Sequence, residues 1–123
     1  MRVPVWMGMI VLLAVCLNVW AVVPGVFSHQ GVVLVDGQRF QGTGEFRFAL
    51  VDPGTDVLVW SNDGTHVGET GVMPDAAVSL QVNDGSYNVP LGDADMPNMV
   101  ALPHTVFDNG GLALRIWFDD GVH

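Results

Sequence analysis

The sequence has a single cysteine and only four basic residues, all arginine, in 123 residues, and each scarcity removes a class of function. Against those arginines stand thirteen Asp and Glu, for a formal net charge of −9. A surface of that sign repels phosphate backbones, so nucleic acid is not an expected partner. Cys16 lies in an apolar N-terminal run. Without a second thiol there is neither an internal disulfide framework nor a thiolate metal site. There is no GxSxG elbow, and outside the leader no cysteine to serve as nucleophile. Gly42-Thr43-Gly44 lacks the third glycine and the following helix of a dinucleotide loop and reads as a flexible turn. No cofactor is expected. Internal repeats, low-complexity tracts and long helical periodicities are also missing.

What is present begins with a leader. Met1-Arg2 supplies a positive start, the stretch to Trp20 is apolar apart from Pro4, Gly8 and Asn18, and Val19-Trp20-Ala21 places small residues at −3 and −1 of a cleavage site after Ala21. Residues 1–21 are therefore read as a secretory signal peptide, with an uncleaved membrane anchor as the alternative. Leu13-Ala14-Val15-Cys16 is a poor lipoprotein box, because Val15 replaces the small residue wanted before the cysteine. Cleavage leaves residues 22–123 as one module with no stable membrane span, secreted or at the cell surface.

That module reads as all-β, a small antiparallel sandwich of six to seven strands. Its most legible stretch is Ala77–Gly92, where Val78, Leu80 and Val82 alternate with polar residues, Asp84-Gly85 marks a turn, and Tyr87, Val89 and Leu91 resume the beat. This pattern predicts a β-hairpin with one buried face, and Pro90 should sit where its missing N–H would point away from a partner. Val26–Val35 is a first strand, closed by Asp36-Gly37. Glu45–Val51 alternates Phe46, Phe48 and Leu50 against Glu45, Arg47 and Ala49. It joins a short strand at Val57–Ser61 in which Leu58 and Trp60 share a face. Thr65–Ala76 is loop. Pro103 opens a short helix through Phe107, and Met96, Met99, Leu102, Val106 and Phe107 plug one end of the core. Leu112–Phe118 is the last strand, with Leu112, Leu114, Ile116 and Phe118 on one face. The inward set is Phe46, Phe48, Leu50, Leu58, Trp60, Val78, Leu80, Val82, Tyr87, Val89, Leu91, Leu112, Leu114 and Ile116.

Residues that carry chemistry are few. Asp93 and Asp95 form a DxD pair that is the nearest approach to a metal site, although Met96-Pro97 occupies the ground where a calcium loop needs further ligands. Asp119-Asp120 reads as a turn. His29, His66, His104 and His123 are scattered singly, without metal-ligand spacing. Trp60 belongs with the core. Trp117, opposite the Leu114 and Ile116 face, is the candidate platform for a sugar ring or a protein partner.

The segments Phe27-Ser28-His29-Gln30-Gly31, GTGEFRFALVD (42–52), VWSNDG (59–64), VSLQVNDGSYNVPLGD (78–93), MPNM, ALPHTVF and LRIWFDDGV together resemble a recurrent module of large exported bacterial proteins of the cell-surface, fibre and stalk type. In these a signal peptide is followed by such a β-domain, and often by collagen-like, coiled or tail-fibre-like regions. The motifs are turn and core patterns, and Ser28-His29 stands where an aromatic is frequent. The resemblance implies no catalytic residue. It implies a non-enzymatic structural or assembly module whose partners are other domains of a larger protein. A carbohydrate- or calcium-dependent binding module, with a possible glycan as ligand, is the alternative, and a hydrolase a distant third. Relatives continue past the point matching His123, so the module reads as truncated. Leu112–Phe118 is then an edge strand without its neighbour, open to self-association. The alternative is a strand already flanked on both sides, with fraying last residues.

Overall fold

The computed structural model describes residues 11–13, 26–109 and 111–121. Every strand pairing is antiparallel, and the small all-β class expected from period-2 alternation is what the chain adopts. The strands are β1 (Val11–Leu13), β2 (Phe27–Val32), β3 (Leu34–Val35), β4 (Gln38–Arg39), β5 (Gly42–Val51), β6 (Leu58–Ser61), β7 (Val78–Val82), β8 (Ser86–Leu91) and β9 (Ala113–Asp119). There are more of them than expected, because the first predicted strand breaks at Val33 and a two-residue hairpin follows it. Among the described residues no helix is long and apolar enough to cross a membrane. The cleavage region and Cys16 lie outside the described residues.

β5 is the spine. One side pairs with β9 from Glu45 to Val51, while the other pairs with β7 over Gly42–Phe46 and then with β6 over Ala49–Val51. Gly42-Thr43-Gly44 is therefore strand rather than flexible turn. Gly44 is needed there because a Cβ would stand 2.5 Å from the Phe118 ring. The hairpin expected at Ala77–Gly92 has the turn but not the ladder. Asp84 and Gly85 take φ of 52° and 83°, the left-handed pair of a type I′ turn, yet only Asn83 and Ser86 bridge across it. β7 then joins the β5 sheet and β8 pairs with β2. Two strands with one apolar face each bury both faces at once if they open into opposite layers and close on one another, and this chain does so.

The core between the layers holds Phe46, Phe48, Leu50, Trp60, Val78, Val82, Tyr87, Val89, Leu91, Leu114 and Ile116, among others. Each large apolar side chain fully buried there contributes about 1.5–3 kcal/mol. Every position named as inward is buried, but Leu58 is not on the face of Trp60. The register slips between Leu50 and Val51, with Leu50 opposite Trp60 and Val51 opposite Leu58. This bulge turns Leu58 to the far side of the sheet. There it packs with Ala49, Val51 and Ala113, and Trp117 lies half-buried against them. Ala49, expected to face solvent, is fully buried for that reason.

Met99, Leu102 and Val106 close one end of the core, with Met96 packed against it. The short helix after Pro103 is a 3-10 helix, His104–Asn109. Val33 N–H donates to Gly85 C=O at 2.7 Å, so the odd residues of β8 face β2. Pro90, at an even position, therefore turns its missing N–H toward the open side. In the full chain β9 has a second neighbour. On the side away from β5 it pairs with β1, with Val11 opposite Ile116, Leu12 opposite Arg115 and Leu13 opposite Leu114.

Candidate functional site

β6 runs into the loop that carries most of the polar organisation. Asn62 is completely buried and fills the gap between β6 and β7 alongside the spine. Its N–H donates to Phe48 C=O at 2.9 Å, its Oδ1 accepts Phe48 N–H at 2.9 Å, and its Nδ2 donates to Ala76 and Asn98 C=O at 2.9 and 3.0 Å. Asp63 continues the scheme, with Oδ1 accepting from Thr65 N–H at 3.0 Å and Oδ2 from Ala76 N–H at 2.7 Å. Burial alone would push the Asp63 carboxyl up. Hydrogen bonds from Thr65, Ala76 and Ser61 outweigh it and hold the group below the ordinary carboxylate value.

His66, at φ 62°, stands between two carboxylates. Nε2 lies 2.8 Å from Asp75 and Nδ1 3.2 Å from Glu69. Those bonds raise its pKa, and both ring nitrogens are engaged. His29 is in the opposite situation. It is buried, with Nε2 at 3.1 Å from the Tyr87 hydroxyl, and burial lowers its pKa while lifting Tyr87 to about 12. His104 is exposed at the start of the 3-10 helix, and His123 lies outside the described residues.

Asp93 and Asp95 stay together only as a local turn, in which Asp93 Oδ1 accepts Asp95 N–H at 3.0 Å. Among the described residues no group of three or more His, Cys, Asp or Glu is placed to hold a metal ion. Trp117 rests on the outer apolar cluster beside Arg115, whose Nη1 donates to Asp56 Oδ2 at 2.7 Å. The Trp117 side chain is half-buried.

A feature that the sequence did not reveal is an open surface groove where β7 and β8 part. It has a volume of about 670 Å³ and is lined by Gln30, Gln81, Asn83, Ser86, Tyr87 and Asn88, with Gly31 and Val32 at one wall. Among the described residues no charged side chain lines it. Thr43 hydroxyl donates to Gln81 Oε1 and Gln41 Nε2 to Asn83 Oδ1, each at 3.4 Å, so neighbouring side chains orient two of the lining amides. Donors and acceptors of this kind match neutral hydroxyls rather than phosphate or carboxylate. The only sequence signal was the polar half of the alternation in β7 and β8, which reads as a solvated face until the two strands separate.

No curated protein and no solved structure matches the chain. The family model described as "Domain of unknown function (DUF8740)" matches residues 28–123, the whole described domain after β1 but for its first two residues, and the chain belongs to that family.

Proposed function

We propose that this chain is an exported, non-enzymatic structural and assembly module of a bacterial cell-surface or fibre-like protein. The observation that carries this reading is how the chemically capable side chains are used. Asn62 and Asp63 fasten the 63–76 loop, His66 clamps its two ends, and His29 is packed under Tyr87. Each is committed to holding backbone or core, and the motifs of the exported-module resemblance fall on those same turns and core positions. The apolar leader with its site after Ala21 supports export.

The test is expression of the full chain in a bacterial host, followed by fractionation and mass measurement. A product outside the cytoplasm that begins at Val22 supports the reading, and a chain confined to the cytoplasm with residues 1–21 attached sinks it. A second reading, a carbohydrate-binding module, is favoured by the uncharged amide groove. Glycan and calcium titrations followed by thermal melting separate the two, since only a ligand bound by the native state raises the midpoint. A glycan-dependent rise that Gln81→Ala and Asn88→Ala abolish would favour binding over scaffolding.

A further inference from the structure

β9 has an outer edge whose hydrogen-bonding pattern can be worked out from the spine. Phe48 spends its N–H and C=O on Asn62, on the β6 side, so the Phe48–Ile116 pair of the β5–β9 ladder is a non-hydrogen-bonded one. In an antiparallel strand the direction alternates. Leu114, Ile116 and Phe118 therefore aim their N–H and C=O groups outward, away from β5. In this structure the first two face the apolar strand β1, whose residues belong to the leader. The edge is thus one that takes an added strand, and under the export reading the strand that fills it is removed with the leader.

We infer that the vacated edge of β9 is a homodimerisation site, filled by β9 of a second copy running antiparallel about a twofold axis at Trp117. The inference rests on the export reading above. Self-pairing must place outward residues opposite outward residues, and of the allowed registers one gains opposite-charge pairs. Centring on Arg115 sets two guanidinium groups face to face. Centring on Trp117 sets Arg115 opposite Asp119 of the second copy, twice, and Trp117 opposite Trp117 at a non-hydrogen-bonded position where side chains approach closest. Within one copy Asp119 Oδ1 accepts Gly121 N–H at 2.7 Å, and a carboxylate with about four acceptor positions can take an arginine of the second copy as well. Arg115 can keep Asp56 as well, since a guanidinium carries five donors.

The test uses the full chain with a protease site inserted after Ala21, so that one protein is compared before and after release of the leader. Light scattering across a concentration series should show a monomer before cleavage and a dimer after it. In the dimer, the amides of Leu114, Ile116 and Phe118 should be protected from hydrogen exchange. Asp119→Arg places arginines against Arg115 of the second copy; with circular dichroism and melting used to select folded protein, dimerisation should weaken at least tenfold. Asp119→Asn should give a smaller loss. A cleaved chain that remains monomeric at all concentrations overturns the inference, as does a dimer indifferent to Asp119→Arg or one that forms equally with the leader in place. These outcomes are independent of where a bacterial host delivers the protein, so failure of the export reading is seen separately.

Discussion

Asn62 and Phe48 exchange two hydrogen bonds, one through the Asn62 backbone and one through its side chain, each at 2.9 Å. The pair lets one strand, β5, hold β6 and β7 end to end along the same side. The side chain supplies the bond that no strand is present to make.

Asn62→Ala should be among the most damaging single changes in the protein. It leaves Phe48 N–H without its acceptor and the Ala76 and Asn98 carbonyls without their donor, and an unsatisfied buried group costs about 1–3 kcal/mol. A loss of about 3 kcal/mol or more in urea unfolding is expected. Asn62→Asp should be similarly costly, because a carboxylate can accept from Phe48 but cannot donate to two carbonyls. Wild-type stability in either variant would mean that the gap is bridged in another way.

The two histidines should give opposite pH dependences. The His29 pKa is lowered in the fold, so the unfolded chain binds its proton first. Its contribution is complete above about 6.5 and is lost as pH falls through the folded-state value. The His66 pKa is raised, so its contribution is complete below about 6.5 and is lost as pH rises through the folded-state value. His66→Asn, which tolerates the left-handed backbone, should therefore cost more stability at pH 5.5 than at pH 8. His29→Gln should flatten the acid limb of the melting-temperature profile. The reverse pattern in either variant contradicts the geometry.

Gly44→Ala should destabilise the domain by about 1–3 kcal/mol, the usual cost of forcing an extra carbon into a packed site. The added Cβ meets Phe118 and Phe46 at 2.5 and 3.0 Å. Gly37 has open space around its Cβ position but a left-handed φ, so Gly37→Asn should cost little and Gly37→Val more. Equal melting temperatures for wild type and Gly44→Ala would show that the rings move aside freely.

Trp117→Ala should act on stability before it acts on any ligand. The ring covers Ala49, Val51, Leu58 and Ala113, and losing half-buried aromatic area should cost about 1–3 kcal/mol. Leu58→Ala, on the same cluster, should be no milder than an equivalent truncation in the main core, about 2–5 kcal/mol. Denaturant midpoints check both. An unchanged midpoint for Trp117→Ala would return that ring to the status of an exposed platform.

Alternation of apolar and polar residues is a local property, so the sequence by itself determined the all-β class, the turns at Asp36-Gly37 and Asp84-Gly85, and the burial of every residue named as inward. Proline marked the 3-10 helix and the open side of β8 in the same local way. The choice of partners is not local. Val78–Leu91 has the pattern of a paired hairpin, and it separates because two apolar faces are better covered by opposite layers than by one shared face. Leu58 and Trp60 differ by two, and only a slip in pairing with β5 places them on opposite sides. Asn62 looked like the end of a strand, and its buried role depends on Phe48, Ala76 and Asn98 converging from three segments. The groove and the outer edge of β9 were decided in the same way, because each depends on which strands lie beside which. Which groups meet there is known only once the strands have been placed.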